Sequence, residues 1–162
     1  MSTEKELTQE QVLELMRGKR FVMLSTATRE GKIVSHPMTP QQVEDDATVW
    51  FFIGRSSDQA RAIVANPQVN LSFAEAGSWL SVSGTAEFLH DPDKIDELWS
   101  DSVETFFEAG KSDPDLTLLR VGGESAQYWG VPGGKVAATV RALAAKVRGD
   151  DKRPGMSGTT EL

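Results

Sequence analysis

Five consecutive β-branched or aromatic residues, Val49, Trp50, Phe51, Phe52 and Ile53, stop at Gly54, and a serine-started helix follows almost at once. Such a run reads as a buried strand. Ser56 or Ser57 is placed to cap a short helix, which Asn66 and Pro67 then terminate. A capped helix start leaves backbone N–H groups at the positive end of the helix dipole, where a phosphate is a natural partner. The hydroxyls of Ser56 and Ser57 and the guanidinium of Arg55 or Arg61 would add donors. Thr48 to Pro67 is therefore a candidate anion site, set against the plainer reading of a strand, a turn and a helix with no ligand.

The rest of the chain supplies short strands around this junction. Thr8 and Gln11 form a capping-box pair, and Leu7 with Val12 stands at hydrophobic-staple spacing, which predicts a first helix from about Gln9 to Arg17, ended by Gly18. Phe21 to Thr28 and Ile33 to Met38 flank the polar turn Arg29–Glu30–Gly31–Lys32 and read as a β-hairpin, with Pro37 and Pro40 limiting its second strand. Thr48 to Ile53 is the third strand, a helix from about Ser57 to Ala65 follows, and Gln68 to Ala74 resumes the sheet. Trp79 to Leu89 makes a long strand in which Gly84 suggests a bulge or a close backbone approach.

Asp91 followed by Pro92 opens another helix, whose stripe is Ile95, Leu98, Trp99, Val103, Phe106 and Phe107 and whose end is Gly110. Leu116 to Val121 and Ser125 to Trp129 read as two last strand segments broken at Gly122–Gly123. Beyond Val131, the spacing of Val136, Val140, Leu143 and Val147 suits one more helix, and DDKRPGMSGTTEL reads as a polar, loosely held tail. The expected fold is mainly β (α+β): six or seven strands, mostly in short antiparallel pairs, form a small β-barrel with peripheral helices. Residues 1–130 make the barrel, and residues 131–162 add a helix and tail to the same domain.

Composition narrows the function. The chain has 162 residues, enough for one core that buries roughly two thirds of its unfolded surface. Its net charge of −7 opposes nucleic acid and anionic membranes. The absence of cysteine removes disulfides, thiolate metal sites and cysteine nucleophiles, and His36 and His90 show no metal-ligand spacing. No signal peptide or membrane-spanning run is visible, so a cytoplasmic protein is expected.

Five segments, FVMLSTATREGKIVSHPMTP, TVWFFIGRSSDQARAIVANPQVNLSFA, SWLSVSGTAEFLHDPDKIDELW, SDPDLTLLRVGGESAQYWG and the closing GTTEL, together resemble the flavin-binding split-barrel proteins related to pyridoxamine 5′-phosphate oxidase. Within these the resemblance is to the general stress protein 26-like branch. It implies a homodimer with FMN in a cleft between two barrels. The ring would lie against Ser35, His36, Pro37, Met38 and Thr39 and the strand end Phe52–Ile53. The phosphate would meet the turn from Ser57 to Gln59, and Trp79 and Trp129 would reach the partner's cofactor. Two positions depart from the family pattern: His36 stands where Arg is usual, and Gln59 where Lys is usual. Each removes a charge-assisted hydrogen bond from the expected phosphate end, worth roughly 1.5–3 kcal/mol.

The tryptophans Trp50, Trp79, Trp99 and Trp129 read mainly as core or interface residues, with Trp129 the best exception because it ends a strand where glycine follows. The acidic loop Glu44–Asp46 and the start DPDKIDE resemble no catalytic pair. Arg141, Lys146, Arg148, Lys152 and Arg153 read as a solvated helix face, or alternatively as a clamp for an anionic ligand. The expected function is a flavin-dependent oxidoreductase acting on a small substrate. The alternatives are a non-catalytic or sequestering flavin protein of stress response, a FAD or deazaflavin binder, and a split barrel without cofactor. The missing Arg and Lys argue against a true pyridoxamine 5′-phosphate oxidase.

Overall fold

The computed structural model describes residues 7–75, 77–130 and 156–162. Helix α1 (Gln9–Met16) starts as its capping box dictates: the Gln11 N–H donates to Thr8 Oγ1 (3.2 Å), and the Thr8 N–H donates to Gln11 Oε1 (2.8 Å). The staple pair Leu7 and Val12 is buried. Strands β1 (Val22–Ala27) and β2 (Ile33–Met38) form the hairpin, with Gly31 at φ 84° in its turn. Only glycine adopts that conformation without strain. A two-residue strand β3 (Gln42–Val43), not foreseen in the sequence, precedes β4 (Thr48–Gly54).

Helix α2 (Asp58–Ala65), β5 (Gln68–Glu75), β6 (Ser78–Leu89), α3 (Pro92–Leu98), α4 (Asp101–Glu104), β7 (Leu116–Gly130) and β8 (Met156–Glu161) complete the described chain. All eight strands belong to one sheet, ordered β2-β1-β5-β6-β7-β4-β3, with β8 added on β7. Every pairing is antiparallel. This is the split-barrel α+β architecture expected, with one strand more than the upper count. Strand β7 changes partner along its length. Its first half, to Gly122, pairs with β4, and its second half, from Ser125, pairs with β8.

The unbroken apolar run of β4 now has a cause. Val49, Phe51 and Ile53 face the main core, while Trp50 packs with Ile95, Val103, Phe107, Leu116 and Leu118 in a second cluster, joined at its edge by Phe52. Both faces of β4 are covered, so alternation is absent.

Three expectations are corrected. The stripe from Ile95 to Phe107 is not one helix: Trp99 is extended (φ −64°, ψ 138°), which separates α3 from α4, and its ring meets Phe52 edge-on at 5.6 Å. Phe106, expected in the stripe, is 80% exposed. Gly122–Gly123 does not interrupt β7. The two glycines lie where β6 shifts register between Ser83 and Gly84, and a Cβ at Gly84 would collide with the Gly122 carbonyl. The close approach expected at Gly84 is thus real, and it lets β7 continue.

The closing segment is not a loose tail. Beyond Gly122 the edge of β7 has lost β4, and Met156–Glu161 satisfies its backbone groups instead. Ladder bonds need no apolar side chain. Thr160 Oγ1 donates to the Leu7 carbonyl (2.6 Å), and Leu162 packs against the main core. The helix expected around Val136 to Val147, and the basic residues Arg141, Lys146, Arg148, Lys152 and Arg153, lie outside the described residues.

Candidate functional site

A cavity of about 730 Å³ opens between the β1–β2 hairpin and helix α2. That size falls within the roughly 300–1,000 Å³ of small-molecule sites. Thr26, Val34 and His36 line its sheet side; Thr26 and Val34 are cross-strand partners, and His36 faces the same way two residues on. Arg29 and Lys32 reach it from the hairpin turn, and Arg55, Asp58 and Arg61 from the start of α2. Ala60, Ala62 and Val64 give the helix wall an apolar surface.

The junction foreseen in the sequence builds this end of the cavity. The Ser57 N–H bonds the Gly54 carbonyl (3.1 Å), closing a turn with Arg55 and Ser56 at its centre. Ser57 then caps α2, its Oγ accepting from the Ala60 N–H (3.2 Å). Asp115, just before β7, accepts from the Ser56 N–H (2.8 Å) and the Ser56 hydroxyl (3.0 Å), and its carbonyl accepts from the Arg55 N–H (2.8 Å).

Charge in the cavity is unbalanced. Arg29, Lys32, Arg55 and Arg61 face two carboxylates, Glu30 and Asp58, in a chain whose net charge is −7. Only Arg61 is paired, with Asp58 Oδ1 at 2.6 Å; Arg29, Lys32 and Arg55 have no ion-pair partner among the described residues. The hydrogen bond and charge of Arg61 hold the Asp58 carboxyl below its ordinary value of 3.8, against slight desolvation, and His36 adds in the same direction. Three unpartnered cations around a concave site can bind an anion.

Of the residues expected at the site, His36 lines the cavity and Ser57 builds its edge. Gln59 is half-buried and does not line it. Ser35 and Pro37 alternate with His36 and so point to the other face of β2, where Ser35 Oγ lies 2.6 Å from Ser25 Oγ. Met38 packs on the main core and Thr39 is exposed beyond the strand. Ile53 is in the main core and Phe52 in the second cluster, so neither reaches the cavity.

Trp79 and Trp129 are direct cross-strand partners on β6 and β7, and they are 48% and 54% exposed. They stand apart from the cavity. Arg29 and Lys32 were legible only as turn residues, and Asp115 had no local signal, because its contacts cross 59 residues of sequence. Among the described residues no group of His, Cys, Asp or Glu could hold a metal ion, and no helix is long and apolar enough to cross a membrane.

Comparison with known proteins bears on this geometry. A family model described as "Pyridoxamine 5'-phosphate oxidase like" matches residues 8–153. A solved structure described as a general stress protein 26 from Jannaschia sp. CCS1 is similar with a TM-score of 0.70 and 24% identity, covering 94% of this chain and 97% of that one. The general stress FMN/FAD binding protein from Xanthomonas citri is 30% identical with a TM-score of 0.64, covering 75% of this chain and 87% of that one. Protein bli-3 of Neurospora crassa is 25% identical over 125 residues, 70% of this chain; the match spans 60% of that relative's length.

Proposed function

Because the chain belongs to the pyridoxamine 5′-phosphate oxidase-like family, we propose that it binds a flavin nucleotide, FMN first and FAD as the alternative, with the phosphate in the cavity between the hairpin and α2. The observation that carries this reading is the set of unpartnered cations Arg29, Lys32 and Arg55 lining a cavity of about 730 Å³ beside the capped start of α2. The donor set fits the group: guanidinium and ammonium groups match phosphate oxygens, and the apolar wall of Ala60, Ala62 and Val64 tolerates a nucleotide's carbon skeleton. The 30% identity to a relative described as FMN/FAD binding supports the same ligand class.

A bound flavin supplies hydride or electron transfer to a small substrate. The chain's own part is to bind and orient. Arg55, with Arg29 and Lys32, would hold the phosphate, His36 would offer a ring N–H from the sheet side, and Thr26 a hydroxyl. An oxidoreductase and a flavin-sequestering protein would share this binding chemistry.

A homodimer belongs to the same proposal. The exposed pair Trp79 and Trp129 offers aromatic surface of the kind that interfaces bury. A cytoplasmic setting is proposed on the cysteine-free sequence.

The test is a visible spectrum of the purified protein, then fluorescence-quenching titrations with FMN, FAD, deazaflavin and riboflavin. FMN binding stronger than riboflavin binding is expected. No binding of any flavin at tens of micromolar overturns the proposal. Reduction of bound flavin by nicotinamide donors, followed by reoxidation with a substrate, separates the oxidoreductase from the sequestering protein.

A further inference from the structure

We infer that Asp115 is a positioning residue for the cavity: its carboxylate clamps the turn between β4 and α2 and so holds Arg55 where an anion is read. This deepens the flavin-phosphate reading above and rests on it.

Three hydrogen bonds from Asp115 converge on two consecutive residues. The carboxylate takes both donors of Ser56, backbone N–H (2.8 Å) and hydroxyl (3.0 Å), while the Asp115 carbonyl takes the Arg55 N–H (2.8 Å). The clamp is itself braced: the Asp115 N–H donates to Asp113 Oδ1 (2.9 Å), and the Leu116 N–H donates to the Asp113 carbonyl (3.1 Å). Leu116 is paired with Gly54 at the end of the β4–β7 ladder, so the brace is anchored in the sheet.

Gly54 completes the arrangement. A Cβ there would lie 2.6 Å from Asp115 Oδ2, so the carboxylate reaches the turn only because that position has no side chain. The requirement is space, since Gly54 is not among the positive-φ glycines. Asp115 does not line the cavity, whereas Arg55 does. A carboxylate so near an anion site opposes binding by its charge, yet both its oxygens are turned toward Ser56. Its effect on an anion therefore runs through the turn. Ordering Arg55 before the ligand arrives lowers the conformational cost of binding.

The experiment compares Asp115→Ala, Asp115→Asn, Ser56→Ala and Arg55→Gln, measuring dissociation constants for FMN and for riboflavin, which lacks the phosphate. Asp115→Ala should weaken FMN by about tenfold, as expected for losing hydrogen bonds to a charged group. Riboflavin binding should not change. Asp115→Asn keeps an acceptor for the Ser56 N–H and should recover most of the affinity. In the Arg55→Gln background, Asp115→Ala should cost nothing further, the non-additivity of residues that act as one unit.

If the wild-type chain binds no flavin, or binds FMN and riboflavin equally, the phosphate reading fails and takes this inference with it. Should wild type prefer FMN while Asp115→Ala weakens both ligands alike, or adds fully to Arg55→Gln, the inference alone is overturned. A fall in melting temperature with unchanged FMN affinity also overturns it, since that is the mark of a merely structural clamp. If Asp115→Ala does not fold, Ser56→Ala removes one clamp bond and decides the matter by the same FMN-to-riboflavin ratio.

Discussion

Arg61 reaches back one turn along α2 to Asp58, Nη2 to Oδ1 at 2.6 Å, and both residues line the cavity between that helix and the β1–β2 hairpin. A guanidinium at the mouth of a cationic cavity is thereby partly occupied by the protein itself. Both side chains are well exposed, so the pair adds little to stability. Its consequence lies in ligand binding. Replacing Asp58 with Asn removes a negative charge and frees Arg61, and FMN should bind on the order of a few-fold more tightly, with riboflavin unchanged. Because the folded pKa of Asp58 is lowered, the pair is present above the ordinary value of 3.8 and is lost only as pH falls through the lowered value. The difference between wild type and Asp58→Asn should therefore hold across neutral pH, and weaker FMN binding in the variant would contradict this account.

His36 and Gln59 are separated by the structure. His36 lines the cavity and Gln59 does not. An Arg at position 36 adds a permanent cation facing the anion, and His36→Arg should strengthen FMN relative to riboflavin by about tenfold. Gln59→Lys should leave that ratio unchanged. Titration of both variants with both ligands checks the pair, and a large effect at Gln59 would place its side chain in the ligand's path.

Tyr128 is 3% exposed, and its hydroxyl has no hydrogen-bond partner among the described residues. Phenylalanine fits the same space without the unpaired group, so Tyr128→Phe should stabilise the fold by about 1 kcal/mol in chemical denaturation. Burial also raises the phenol's pKa above 10. The wild-type contribution is complete below about pH 10 and is lost as pH rises through the raised value, since the unfolded chain ionises first. The variant should show a smaller alkaline loss of stability, and equal slopes would refute the assignment.

Gly84 pairs with Gly123 across the register shift of β6 and β7 and abuts the Gly122 carbonyl; of Gly84 and Gly122, only Gly84 lacks room for a side chain. Gly84→Ala forces a backbone displacement and should cost about 1–3 kcal/mol. Gly122→Ala meets nothing within 4 Å and should be tolerated. Denaturation midpoints of the two variants test the contrast, which disappears if the register shift merely relaxes.

Local chemistry alone marked the starts of α1, α2 and α3 and the hairpin. Thr8 and Gln11 close a capping box, Ser57 caps α2, and the turn around Gly31 joins β1 to β2, each through contacts within a few residues. The same locality made Thr48 to Pro67 readable as a strand, a turn and a capped helix with Arg55 and Arg61 nearby. Gly84 announced its close approach, though not its neighbour.

Partnership across the chain was decided only in three dimensions. The run Val49–Ile53 is apolar throughout because a second cluster around Ile95, Val103 and Phe107 covers its other face. Gly122–Gly123 resembles a break but continues β7, and the polar segment Met156–Glu161 is a strand because an unfilled sheet edge needs backbone partners rather than apolar side chains. At the site, the sequence by itself determined the capped helix start and two of its cations. Tertiary structure brought Arg29 and Lys32 across from the hairpin, turned Ser35 and Phe52 away from the cavity, and set Asp115 against Ser56. The physical reason is range: caps and turns are settled by neighbours in sequence, whereas a cavity's charge and a clamp's grip depend on residues that only folding brings together.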